Sequence, residues 1–94
     1  MIKNDYVLKA SANQVSSELS GDVIILNIKS GKYFGLDNVG ARVWSILQKP
    51  AKVKDIINFI DSEYDVRADQ CERDMMALLE DLLREDLIDI EKNP

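Results

Sequence analysis

Short apolar segments separated by glycine-containing turns predict β-strands in the first half of the chain. Polar and apolar residues alternate over Gln14–Leu19, the pattern of a strand with one covered face. Residues 23–28 are nearly all apolar and mostly β-branched, as in a central strand that is covered on both faces. Gly21 and Gly31 flank this segment at positions suited to tight turns, and Tyr33–Leu36 is predicted to be a third strand.

Helical spacing replaces alternation in the second half. Asp37 is a good N-cap residue, because its carboxylate can accept hydrogen bonds from the free N–H groups of a first helical turn. The first predicted helix ends near residue 48, because Pro50 cannot continue it. Recurring apolar residues at helical spacing predict a second helix over 53–60 and a third over about 69–85.

The third predicted helix carries two apolar stripes. The first is predicted to pack on the core and consists of Cys71, Met75, Leu78 and Leu82, with Leu79 alongside. The second consists of Glu72, Met76, Leu79 and Leu83. Met76 and Leu83 are the candidates for lining a groove between this helix and the third strand. Burial of the helix on most of its sides is the alternative explanation of so broad an apolar arc.

Three strands followed by three helices predict an α+β fold similar to a winged helix-turn-helix, as one domain over residues 1–94. Residues 1–13 are predicted to be an N-terminal arm or an extra strand, with Val7–Ala10 as the candidate strand. Residues 87–90 either add a strand or close the core, and residues 91–94 are expected to fray.

The residue types present exclude most catalytic chemistry. The 94 residues include no histidine, which removes the usual general base near neutral pH and the commonest metal ligand. Cys71 is the only cysteine, so neither an intrachain disulfide nor a cysteine zinc cluster can form. The four glycines do not have the spacing of a nucleotide-binding loop. We therefore expect no enzymatic activity, no cofactor and no metal.

The chain also lacks the sequence features of a membrane or exported protein. No apolar run approaches the roughly 20 residues that span a bilayer. The N-terminus lacks the apolar core of a signal peptide. A cytoplasmic location and no membrane partner are the resulting expectations.

Charge is distributed unevenly along the chain. Residues 1–54 contain eight Lys or Arg and four Asp or Glu, whereas residues 55–94 contain four and thirteen. Within residues 67–86, around the third helix, three residues are basic and seven are acidic. A winged-helix protein that binds nucleic acid needs clustered Lys and Arg on that helix to neutralise phosphates. No nucleic-acid partner is therefore expected.

The third predicted strand is a candidate for binding a peptide. In a meander it lies at one edge of the sheet, where unpaired backbone groups can pair with an added strand. The alternative is that Lys29 and Lys32 protect the edge from pairing, while Tyr33 and Phe34 simply pack.

One motif is more specific than these patterns. Residues 31–44 have the form G-x-Y-x-x-L-D-x-x-G-x-x-V-W, and D-M-M-A-L-L-E-D-L-L follows over residues 74–83. The order and spacing of these segments resemble those of PqqD-like domains. The first motif is most similar to that of the stand-alone recognition subunits of lasso-peptide pathways.

The resemblance implies a function and a site. PqqD-like domains bind the leader segment of a ribosomally synthesised precursor peptide by strand addition. The lasso-pathway subunits present the leader to a separate enzyme, a cysteine-protease-type leader peptidase. Carried over residue by residue, the implied peptide-binding residues are Lys32, Tyr33, Phe34, Gly35, Leu36, Met76, Leu79, Glu80, Leu83 and Arg84. A winged-helix nucleic-acid-binding protein and a regulatory protein–protein interaction module are the alternative functions.

Overall fold

The computed structural model describes residues 2–64 and 68–92, which form six strands and three helices. In chain order these are β1 (Val7–Ala10), β2 (Gln14–Leu19), β3 (Asp22–Asn27), β4 (Tyr33–Leu36), α1 (Asn38–Ile46), β5 (Ala51–Lys52), α2 (Val53–Glu63), α3 (Ala68–Arg84) and β6 (Ile88–Lys92). The predicted α+β class is confirmed, and the predicted strands and helices occur within a few residues of their expected bounds.

The predicted meander is a three-stranded antiparallel sheet in the order β2-β3-β4. A two-residue turn joins β2 to β3, and its central residues Ser20 and Gly21 have φ of 54° and 90°. Positive φ at both positions gives the turn the twist of the flanking strands. The β3–β4 connection is longer, and its Gly31 has φ of 73°. The Asn27 side-chain oxygen holds this loop by accepting hydrogen bonds from the backbone N–H groups of Lys29 and Ser30.

A second antiparallel sheet, in the order β5-β1-β6, was only partly anticipated. The N-terminal segment does contain an extra strand, β1, and the C-terminal tail does add one, β6. The expectation that residues 91–94 fray is wrong for Glu91 and Lys92, which belong to β6; residues 93 and 94 lie outside the described residues. The two-residue strand β5, which pairs with β1, was not predicted, because two residues carry no periodicity.

Local capping interactions define the start of α1 and the end of α3. Asp37 Oδ1 accepts a hydrogen bond from the backbone N–H of Gly40 at 3.2 Å, which confirms the predicted N-cap of α1. At the end of α3, Asp86 has φ of 64°, and the N–H of Leu87 donates to the carbonyl of Leu82. This is a Schellman motif, which here directs the chain from α3 into β6. The Ser11 hydroxyl supports it by donating to the Asp86 carbonyl at 3.0 Å.

One apolar core lies between the two sheets and the three helices. Its largest fully buried side chains include Ile2, Leu8, Ile25, Leu47, Ile56, Ile60, Leu79, Leu87 and Ile88. Trp44 is buried as well, and its Nε1–H donates to Ser16 Oγ at 3.1 Å, which ties α1 to β2. Within the described part of the chain, no helix is both long and apolar enough to cross a membrane.

Candidate functional site

The strand β4 has one paired edge and one open edge. It pairs with β3 in antiparallel register, with Ile25 opposite Phe34 and Val23 opposite Leu36, and no strand among the described residues covers its other side. The predicted edge position of Tyr33–Leu36 is therefore confirmed. The opposite edge of this sheet is formed by β2.

The register determines which backbone groups of β4 point to the open edge. The backbone N–H of Asn27 donates to the carbonyl of Lys32 at 2.9 Å, so this pair is hydrogen-bonded. Hydrogen-bonded and non-hydrogen-bonded pairs alternate along an antiparallel ladder. Phe34 and Leu36 therefore direct their N–H and C=O groups to β3. The N–H and C=O groups of Tyr33 and Gly35 are directed to the open edge instead.

Side chains of β4 divide between the two faces of the sheet. Phe34 and Leu36 are half-buried and pack against the core. Tyr33 lies on the outer face with 71% of its surface exposed, and Lys32 is exposed before the strand begins. Gly35 is exposed, and no atom lies within 4 Å of the position that a Cβ would occupy.

A groove of about 550 Å³ begins at the C-terminal half of β4 and extends to α3. Most of its lining is apolar. The lining residues are Gly35, Leu36, Asp37, Val39, Gly40, Ile60, Tyr64, Cys71, Asp74, Met75 and Leu78. An open strand edge and an adjoining apolar groove can together bind an extended peptide, through its backbone and its side chains respectively.

Gly40, one of the glycines of the motif, allows helix α1 to pack closely against strand β4. A Cβ on Gly40 would lie 3.1 Å from Leu36 Cβ, which is closer than side chains normally pack. Gly40 is buried in α1 directly against Leu36. The glycine thus lets α1 pack against β4 and leaves Leu36 at the groove wall.

The structure places the groove on a different flank of α3 from the one predicted. Successive helical residues are about 100° apart around the helix axis. Asp74 and Leu78 therefore share one flank of α3. Met76, Glu80 and Leu83 share the opposite flank. Asp74 and Leu78 line the groove, whereas Met76, Glu80 and Leu83 do not.

The predicted core stripe is confirmed for Cys71, Met75 and Leu82, which are buried. Leu78 is only half-buried and lines the groove, while Leu79, predicted alongside the stripe, is fully buried.

The remaining predicted residues of α3 also lie away from β4. The backbone N–H of Ile2 donates to Glu80 Oε2 at 3.3 Å, so Ile2 contacts the flank of α3 that also carries Met76 and Leu83. Arg84 is exposed and pairs with Asp81 at 2.7 Å. Of the predicted site residues, only Gly35 and Leu36 line the groove, while Lys32, Tyr33 and Phe34 lie on or beside the same edge strand. The role of Met76, Leu79, Glu80, Leu83 and Arg84 in peptide binding stays a prediction that this geometry does not favour.

Cys71 lies at the base of the groove and is almost fully buried. Burial raises the pKa of its thiol, and the nearby carboxylates of Asp61 and Asp74 raise it further. A raised pKa keeps the thiol protonated near neutral pH, where it is a poor nucleophile. Cys71 therefore contributes an apolar surface to the groove, as expected of a buried cysteine on a core stripe.

Comparison with known proteins gives one family and two similar structures. The family described as coenzyme PQQ synthesis protein D (PqqD) matches residues 22–88. The structure of TbiB1 in complex with the TbiA(beta) leader peptide is 34% identical in sequence, with a TM-score of 0.81, over 90% of this chain and 99% of that chain. A lasso peptide synthetase B1 complexed with the leader peptide is 23% identical, with a TM-score of 0.75, over 86% and 95%. No curated protein sequence is significantly similar.

The family match and the site geometry concern the same part of the molecule. Residues 22–88 extend from the first residue of β3 to the first residue of β6 and include the open edge of β4 and the whole groove. The resemblance seen in the sequence motif is confirmed by this match, which spans well over half of the chain. The chain belongs to the PqqD family.

Proposed function

We propose that the chain binds the leader segment of a ribosomally synthesised precursor peptide and presents it to a separate processing enzyme. The observation that carries the proposal is the open edge of β4 beside an apolar groove. The similarity to TbiB1, whose structure contains a leader peptide, supports the same function. In this proposal the leader adds to β4 as an antiparallel strand.

Backbone and side-chain contacts have separate roles in this binding mode. The N–H and C=O groups of Tyr33 and Gly35 pair with the leader backbone and provide affinity for many sequences. The groove between Leu36 and Leu78 accepts side chains and provides selectivity. Ordering a disordered leader costs roughly 2–5 kcal/mol or more of binding free energy. We expect a net binding free energy of about −8 to −11 kcal/mol, or a Kd between about 1 µM and 10 nM.

The proposed processing enzyme is a leader peptidase of the cysteine-protease type in a lasso-peptide pathway. Its support is the similarity to the lasso peptide synthetase B1 in fold and to TbiB1 in sequence. The chain itself is proposed to be non-catalytic, because without histidine it has no ordinary general base. It would act by holding the leader in an extended form that the peptidase recognises.

Leader binding is tested by calorimetric titration of the chain with two synthetic peptides. These are the leader of the precursor encoded beside this chain and the TbiA(beta) leader. We expect the first to bind with a Kd of about 1 µM or tighter. Absence of binding by both peptides at about 100 µM would contradict the proposal.

Presentation is tested separately by the rate at which the neighbouring peptidase removes the leader from the full precursor. We expect the rate to increase when the chain is added. A rate that does not change, although the leader binds, would remove the presentation step from the proposal and leave the binding step in place.

A further inference from the structure

The groove beside β4 is apolar inside and acidic at its rim. Two of its lining residues carry a charge, Asp37 and Asp74, and both are exposed. Among the described residues, no Lys or Arg lines the groove. Asp37 follows β4 directly, whereas Asp74 is on α3, so the two carboxylates come from different sides of the groove.

Among the described residues, neither carboxylate forms a salt bridge with a Lys or Arg. Asp37 Oδ1 accepts a hydrogen bond from the Gly40 N–H, and Asp74 Oδ1 accepts one from Gln70 Nε2 at 2.9 Å. Both donors are uncharged groups, and the N-terminus of α1 partly offsets the charge of Asp37. Asp74 is also close enough to the buried Cys71 thiol to raise its pKa, although burial is the larger cause of that shift.

We propose that the bound peptide places a Lys or Arg side chain between Asp37 and Asp74, within two residues of the apolar side chain that fills the groove. This inference rests on the proposed leader-binding function and adds a charge requirement to it. On an added strand, side chains two residues apart point to the same face and are about 6.5–7 Å apart. A basic side chain can therefore cover apolar surface with its stem while its charged end reaches the rim.

The requirement is tested by selecting binders from a displayed library of random peptides. Selection is done in parallel against the wild-type chain and against the double variant Asp37→Asn/Asp74→Asn. Asparagine keeps the size of each side chain and can still cap α1. We expect wild-type binders to be enriched in Lys or Arg within two residues of a large apolar residue. Binders of the double variant should lack this enrichment.

A titration then measures the coupling between the charges. The probe is the strongest wild-type binder, compared with the same peptide carrying glutamine in place of its basic residue. We expect the double variant to bind the basic peptide about 10-fold more weakly than the wild type does, and the glutamine peptide equally well. The control variant Glu72→Gln, an exposed carboxylate on the opposite flank of α3, should change neither affinity by more than about twofold.

Failure of this inference can be distinguished from failure of the proposed function. If neither the leader peptides nor any library peptide binds the wild-type chain, the proposed peptide-binding function and this inference are both wrong. If peptides bind without enrichment of basic residues, or if the double variant keeps the preference, only the charge requirement is overturned.

Discussion

Replacement of Gly35 by proline is expected to abolish leader binding and to leave the domain folded. The N–H of Gly35 points away from β3, so proline removes no hydrogen bond within the sheet. It does remove a donor that an added strand needs, and its ring occupies the space next to the open edge. We expect the affinity for the leader to fall by more than about 100-fold, or roughly 3 kcal/mol.

The matched control is Gly35→Ala. Alanine keeps the N–H group, and its Cβ meets no atom within 4 Å. Its affinity should stay within about threefold of the wild type, and circular dichroism should show both variants folded. A folded Gly35→Pro protein with wild-type affinity would mean that the leader does not pair with β4.

The second large effect is expected at adjacent leucines of α3. Leu79 is fully buried in the core, so Leu79→Asn creates a cavity and buries an amide without partners. We expect the free energy of unfolding to fall by about 4 kcal/mol or more, which is most of the stability of a small domain.

Leu78 is only half-buried at the groove, so Leu78→Asn should lower the free energy of unfolding by only about 1 kcal/mol. It should nevertheless weaken leader binding by about 10-fold or more.

Leu83→Asn is the control that tests which flank of α3 contacts the leader. Leu83 is half-buried like Leu78 but lies on the opposite flank of α3, where Ile2 contacts Glu80. Urea denaturation and leader titration of the three variants should show that Leu83→Asn binds nearly as well as the wild type. The opposite result, lost binding in Leu83→Asn and normal binding in Leu78→Asn, would restore the site predicted from the sequence.

Local patterns were sufficient to predict the meander and the helices. Alternation in β2, the apolar run of β3 and the cap at Asp37 all act within a few residues, so they are visible in the sequence. The edge position of β4 followed from the order of strands in a meander. The motif over residues 31–44 then identified the family, which composition and periodicity could not do.

Long-range pairing was less accessible to prediction. Leu8 pairs with Ile90 across nearly the whole chain, and β5 contributes only two residues. No local pattern specifies such partners, so the second sheet was anticipated only as possible extra strands. Its formation also moves Glu91 and Lys92 from a frayed tail into β6.

The residues of α3 predicted from the sequence differ from those that line the groove for a related reason. Periodicity defines the width of an apolar arc, but it does not say which flank faces a strand far away in sequence. Ile2 and Glu80, which are in contact along the other flank, are separated by 78 positions. Consequently Leu78 was placed in the core and Leu83 at the groove, although the structure has Leu78 at the groove and Leu79 in the core.

The central claim, strand addition at β4, is tested most directly by hydrogen exchange of single backbone amides, followed by NMR. In the free chain the amides of Tyr33 and Gly35 should exchange quickly, and those of Phe34 and Leu36 slowly, because only the latter bond to β3. With saturating leader, exchange at Tyr33 and Gly35 should slow by about 10-fold or more, with little change at the β2 and β6 edges. Unchanged exchange at Tyr33 and Gly35 in a saturated complex, or new protection at another edge, would contradict the account.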